Sequence, residues 1–133
     1  MLKKTIEVEV RYSETDRMGF VYYGNYAQYL ELARVAVLKE IGISYRELED
    51  KGFLLPVRDF SIQYHRAAGY DDRLSVSAEI REMPTNRIIF DYLLKKEDRL
   101  IAEAKTTLIF MNPSGRACRP PQFFLDALLP YFS

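Results

Sequence analysis

Polar and apolar residues alternate from Thr5 to Tyr12, with Ile6, Val8 and Val10 on one side and Glu7, Glu9 and Arg11 on the other. A period of two predicts a strand with one buried face. From Asn25 the period lengthens. Tyr26, Leu30, Ala33, Val37 and Ile41 recur every three or four residues, the stripe of a helix lying against a sheet. Gly42 is placed to end that helix in the left-handed conformation. Ser44 and Glu47 have the spacing of a capping box, which predicts a short second helix ending near Gly52.

Beyond Gly52 the chain reads as strands: Phe53 to Tyr64, Leu74 to Glu82, Arg87 to Lys95 and Leu100 to Met111. Pro56 marks an edge or a bulge near the start of the first of these. Met83-Pro84-Thr85-Asn86 and Asn112-Pro113-Ser114-Gly115 carry turn chemistry. Pro120-Pro121 then opens a C-terminal helix, Gln122 to Leu129. One strand, one long helix and four strands in meander-like order predict an α+β domain, an antiparallel sheet with the helix on one face. No repeat or linker interrupts it, so residues 1–133 are read as one domain.

Composition narrows the function classes. Lys+Arg and Asp+Glu balance at 19 each, which leaves no global field for nucleic acid or an anionic membrane. The apolar runs are too short for a membrane span, and the charged start has no signal-peptide core. One cysteine, Cys118, forbids an internal disulfide and suits a cytoplasmic protein. The aromatic set is ten Tyr, eight Phe and no Trp, with Tyr concentrated between 22 and 29. Tyr carries a hydroxyl that needs a partner when buried, so such clusters also suit interfaces and pocket rims.

The chemistry concentrates in the stretch Glu14 to Arg34, ETDRMGFVYYGNYAQYLELAR. Asp16 precedes a glycine-containing turn, an aromatic run and the start of the long helix. A carboxylate near a helix amino end suits acyl transfer. It can act on water or on a carbonyl carbon, while unpaired N–H groups favour a developing oxyanion. Taken alone, Asp16 also fits an Asx-turn, and Gly19 an ordinary turn glycine.

Asp16, Gly19, Tyr23, Asn25 and Tyr26 match D-x-x-G-x-x-x-Y-x-N-Y, and the segment resembles hotdog-fold acyl-CoA thioesterases of the 4-hydroxybenzoyl-CoA type. Glu31 with Arg34 and Tyr70-Asp71-Asp72 look like the same family. The resemblance implies a curved antiparallel sheet wrapped around one long central helix. It implies Asp16 as catalytic nucleophile or general base, Gly19 as the turn that admits substrate, and the N–H groups at Tyr23 and Gly24 as oxyanion donors. Losing one such donor costs on the order of 100- to 1,000-fold in rate. Asn25 is read as the helix cap, and Tyr22, Asn25 and Tyr26 as lining the substrate. Coenzyme A enters within the substrate, so no cofactor or metal is implied. The partner is a second copy of the chain, as a dimer or tetramer. Two departures stand out: Arg17-Met18 occupies the place of Pro-Ala, and Tyr22-Tyr23-Gly24 fills a stretch where many relatives carry His.

Other residues are weighed beside these. Glu31 and Arg34 lie one turn apart and can pair; Glu31 is also the reserve catalytic acid. Arg66, Arg73 and Arg87 sit at strand ends and are candidates for the phosphates of coenzyme A. His65, the only histidine, is read as structural, since no Cys/His set accompanies it for a metal and no G-x-S-x-G motif for a triad. Two rival functions remain: an acyl-CoA or acyl-carrier-protein binder without turnover, and a hotdog dehydratase built on His65.

Overall fold

In the computed structural model, which describes residues 1–132, β1 is Leu2–Glu9. The alternation from Thr5 to Tyr12 placed it three residues too late. Its pairing with Arg73–Ile80 begins at Leu2 opposite Ile80, so Lys3 and Lys4 lie within the strand. Beyond Glu9, the Val10 N–H donates to the Asp72 carbonyl at 2.9 Å, and Tyr12–Glu14 coil into a 3₁₀ turn.

A second 3₁₀ turn, Tyr23–Asn25, leads directly into α1, Tyr26–Glu40. Of the expected stripe, Tyr26, Leu30, Ala33 and Val37 are buried, while Ile41 lies just past the helix and is half-buried against the same core; Tyr29 joins the buried face. Gly42, at φ +77°, ends the helix as expected. Its N–H donates to the Lys39 carbonyl and that of Ile43 to the Leu38 carbonyl, both at 2.9 Å. That paired arrangement occupies two carbonyls the helix end would otherwise leave open. In α2, Tyr45–Asp50, the Ser44 hydroxyl caps the Glu47 N–H at 3.0 Å. The reciprocal half of the box is absent among the described residues, because the Glu47 carboxylate lies beside Lys51 at 3.4 Å instead.

The remaining strands are β2 Val57–Tyr64, β3 Arg73–Ile80, β4 Arg87–Lys96, β5 Arg99–Met111 and the short β6 Ala117–Cys118. The start predicted at Phe53 shrinks to an isolated bridge between Leu54 and Met111, with a register shift between Val57 and Asp59 next to Pro56. The helix predicted after Pro121 is α3, Gln122–Leu128, followed by a 3₁₀ turn Leu129–Tyr131.

All pairs are antiparallel, in the order β1-β3-β4-β5-β2 with β6 on β5. The meander expectation therefore holds only for β3-β4-β5. β2 does not pair with β3 but lies at the far edge, because residues 65–72 carry the chain across the end of the sheet. α1 packs against β1 and β3. Ile88, Phe90, Tyr92 and Leu94 alternate inward along β4, as Leu74, Val76, Ala78 and Ile80 do along β3. Each such side chain contributes roughly 1.5–3 kcal/mol relative to exposure when fully buried.

Candidate active site

Asp16 sits on a tight loop between two short pairings. Thr15 bridges Val21, and Phe20 bridges Gly69. The Asp16 N–H donates to the Phe20 carbonyl at 2.8 Å, and the Gly19 N–H to the Asp16 carbonyl at 3.0 Å. Gly19 adopts φ +84°, a conformation that side chains with a Cβ rarely take, and this closes the turn. The Asp16 Oδ1 accepts from the Met18 N–H at 2.9 Å and the Phe20 N–H at 3.3 Å. The Asx-turn is thus present, but it uses one oxygen. Oδ2 accepts no hydrogen bond among the described residues.

Immediately downstream, the Tyr22 N–H donates to the Glu14 carbonyl and the Asn25 N–H to the Tyr22 carbonyl, both at 2.9 Å. The N–H groups of Tyr23 and Gly24 donate to no acceptor among the described residues. They open the 3₁₀ turn, whose first donors have no partner within the turn. Tyr22 and Tyr23 stand exposed beside each other, with ring centroids 4.7 Å apart. A Cβ on Gly24 would come within 2.9 Å of the Tyr22 ring, so glycine here lets that ring lie across the backbone.

Asn25 stands at the N-cap position of α1 but does not cap it through its side chain. Its own backbone is already helical, at φ −80° and ψ −16°. Nδ2 instead donates to the Glu14 carbonyl at 2.9 Å. One carbonyl therefore fixes both ends of the segment that carries the free donors. Tyr26 is core, buried against Tyr29 and Tyr64 at centroid distances of 6.0 and 5.2 Å. Its placement gives it packing contacts rather than a face on the loop surface.

Glu14 went unremarked in the sequence beyond its place at the head of the motif, and it organises this loop. Its buried carboxylate accepts from the Arg11 N–H at 2.8 Å and the Tyr29 hydroxyl at 2.9 Å on Oε1. Oε2 takes the Arg11 guanidinium at 3.1 and 3.3 Å. Burial works to raise its pKa. The Arg11 N–H, the Tyr29 hydroxyl and the Arg11 cation outweigh burial and hold the carboxyl below the ordinary glutamate range. Burial and the neighbouring Glu14 push the Tyr29 hydroxyl upward. The available signal was a charged residue set between a strand and a turn, one short step from a helix rich in Tyr.

The other wall comes from residues 65–72. The Val21 N–H donates to the Ala68 carbonyl at 2.8 Å, and Gly69 packs so close that a Cβ would meet the Gly19 carbonyl oxygen at 3.3 Å. Asp72 braces this wall, accepting the Gly69 N–H at 2.8 Å and pairing with Lys96 at 2.9 Å. Burial opposes its ionisation, but the Gly69 N–H and Lys96 prevail and lower its pKa.

Of the three arginines, Arg66 and Arg73 flank this wall and are exposed. Arg87 begins β4 opposite Ile109, at the other end of the sheet, so the three do not form one cluster in the chain. Glu31 and Arg34 do not pair. Arg34 is buried and donates to the Tyr45 hydroxyl at 2.8 Å and the Tyr92 hydroxyl at 3.0 Å, with Thr106 Oγ1 2.7 Å from Tyr92. Its sequence signal was position: it falls within the stripe of Leu30, Ala33 and Val37. His65 is exposed at the end of β2, with Nε2 3.5 Å from Glu103 and remote in sequence from the Asp16 loop. An apolar cleft of about 230 Å³ runs along α1, with Ala27, Glu31 and Arg34 on one side and Val57 and Phe60 on the other.

This sheet, helix and loop define a hotdog-fold thioesterase framework. A family model for the thioesterase-like superfamily matches residues 10–128, and the chain belongs to that family. YneP of Bacillus subtilis (strain 168), assigned as an acyl-CoA thioesterase, is 38% identical over 86 residues; the match spans 65% of this chain and 62% of that protein. The acyl-CoA thioester hydrolase YbgC of Escherichia coli O157:H7 is 29% identical over 107 residues, 80% of each chain. The crystal structure of the DHNA-CoA thioesterase from Staphylococcus aureus superposes with a TM-score of 0.90 at 29% identity, covering 98% of this chain and 89% of that one.

Proposed function

We propose that the protein hydrolyses acyl-CoA thioesters, with Asp16 as the reacting carboxylate and the Tyr23 and Gly24 N–H groups as the oxyanion site. The observation that carries this reading is the pairing of one free carboxylate oxygen with two unclaimed backbone donors on a single braced loop. Oδ1 is spent on holding the turn, so Oδ2 does the chemistry.

In the general-base route, Oδ2 takes a proton as water oxygen bonds to the thioester carbon. The carbonyl π pair moves onto oxygen, where the two N–H groups receive it. The oxyanion then collapses, the C–S bond breaks, and the coenzyme A thiolate leaves, reclaiming the proton. In the nucleophilic route Oδ2 bonds to the carbon directly, the C–S bond breaks to expel the coenzyme A thiolate, and water then cleaves the resulting mixed anhydride to free acid and Asp16. In single-turnover hydrolysis in heavy-oxygen water, label found in Asp16 marks the second route, with water attacking the Asp16 carbonyl of the anhydride. Coenzyme A arrives as part of the substrate and no cofactor is used. Arg66 and Arg73, on the wall beside the loop, suit its phosphates.

The working unit in this reading is a homodimer formed at β2. That edge strand is exposed at seven of its eight positions and carries Val57, Phe60 and Tyr64 open to solvent. Such an edge invites pairing with a second copy. The other edge, β1, is guarded by Lys3, Lys4, Glu7 and Glu9. A cytoplasmic setting accords with the lone half-buried Cys118, and no helix among the described residues is long and apolar enough to cross a membrane.

The test is thiol release from a panel of aromatic, short-chain and long-chain acyl-CoAs by the wild type and Asp16→Asn. The expected result is turnover by the wild type and a loss of at least about 100-fold in the variant. Equal rates would move the chemistry to Glu31. A folded dimer that binds acyl-CoA without releasing thiol would make the protein a binder.

A further inference from the structure

Arg34 is a buried cation without a buried anion. Its side chain is held by two neutral hydroxyls, Tyr45 and Tyr92. No carboxylate lies within ion-pairing distance of it among the described residues, including Glu31 one turn earlier. Burial of both tyrosines pushes their pKa values up, so neither supplies the missing charge. A buried guanidinium is costly unless its donors and its charge are answered.

One part of it is unanswered. Nε and Nη1 are engaged, while Nη2 donates to nothing among the described residues. Nor is Nη2 sealed away, because no fully buried side-chain nitrogen or oxygen among those residues lacks a partner. Arg34 itself lines the cleft along α1, together with Ala27, Leu30, Val57 and Phe60 and with the polar side chains of Glu31 and Thr106. Ala27 begins that cleft one helical turn beyond the Tyr23 and Gly24 donors. An acyl chain whose carbonyl sits at those donors therefore runs along the helix toward Arg34.

We propose that Arg34 is the specificity determinant at the far end of the acyl pocket, selecting acyl groups that carry an acceptor oxygen, a hydroxyl or a carboxylate, at their distal end. This rests on the thioesterase reading of the Asp16 loop for the direction of the chain. The apolar walls take the body of the acyl group, and the guanidinium fork takes its terminal oxygen. A purely apolar chain that displaces water from the cleft leaves Nη2 without an acceptor. Discrimination against such chains is then strong, because rejecting a ligand that lacks a needed oxygen is easier than rejecting one with an extra methylene.

Binding is measured with non-hydrolysable coenzyme A thioethers in size-matched pairs: phenyl against 4-hydroxyphenyl, and hexyl against carboxypentyl. The wild type is expected to bind at least one oxygen-bearing member about 10- to 100-fold more tightly than its apolar match. Which pair discriminates says whether the terminal oxygen is neutral or charged. In Arg34→Met the ratio is expected to fall to near one, and in Arg34→Lys to lie between. A merely structural Arg34 would weaken both members of a pair equally and leave the ratio unchanged. Equal binding within both wild-type pairs, or a full ratio retained in Arg34→Met, would overturn the proposal. If the Met variant does not fold, Arg34→Lys carries the comparison, and a full wild-type ratio retained there overturns the proposal. Because binding is read without turnover, failure here is separate from failure of the Asp16 chemistry.

Discussion

Glu14 shows how much a single carboxylate can organise without touching substrate. Its side chain ties Arg11 to Tyr29, and its carbonyl holds the Tyr22 N–H and the Asn25 amide. Glu14→Gln keeps the shape but removes the charge and turns one acceptor into a donor. We expect a loss of about 1–3 kcal/mol at neutral pH, measured by urea denaturation. The pH dependence has a definite sign. The folded pKa is depressed, so between the two values the unfolded state binds more protons and stability rises with pH. The contribution is complete above about pH 4.5 and is lost as pH falls through the lower folded value. The Gln variant should show a flatter acid limb. At Gly19 the constraint is conformational: φ is +84° and a Cβ would meet nothing within 4 Å. Gly19→Ala should therefore cost about 1–2 kcal/mol, and Gly19→Asn less, since Asn tolerates that region. A greater cost for Asn than for Ala would mean that space, not backbone, selects glycine.

Among the elements, α2 is the one whose stability is most simply held. It is six residues long, capped at its start by Ser44 and closed at its end by Gly52 at φ +88°. Ser44→Ala should cost about 1 kcal/mol by loss of the Glu47 N–H acceptor, read as a lower thermal or urea midpoint. Thiol release should change little at a temperature where both proteins are folded, because Ser44 lies outside the Asp16 loop. Helix ends were legible in advance because glycine and serine act through local backbone chemistry. Asn25 was misread for a related reason. Its type suits a cap, but a preceding 3₁₀ turn had already begun the helical path and left its amide free to reach Glu14.

At the scale of the molecule, the decisive feature is the edge position of β2. The homodimer proposed above rests on this strand, whose apolar side chains are exposed. In an antiparallel pairing about a two-fold axis, residues near its centre meet their own counterparts. Ser61→Lys combined with Gln63→Lys should set like charges against each other there. The expected outcome is a shift toward monomer in sedimentation velocity and a fall in kcat/KM of more than about 10-fold. A variant that stays dimeric and fully active would place the interface elsewhere.

Local pattern determined a large part of this protein. Period-two hydrophobicity marked β1 and β3 and a period of three to four the main helix, turn residues bounded the other long strands, and glycine and serine marked the helix ends. The spaced motif from Asp16 to Tyr26 brought out the loop on which the proposed chemistry rests, because those residues are neighbours in sequence and share one stretch of backbone. Only the tertiary structure decided what depends on residues far apart in the chain. It put β2 at the opposite edge from β1, since periodicity encodes which face of a strand is buried but not which strand lies beside it. It separated Arg87 from Arg66 and Arg73 and set Arg34 against Tyr45 and Tyr92 across 11 and 58 positions of sequence. A charge inside an apolar stripe reads as a surface residue until the hydroxyls that hold it come from other elements.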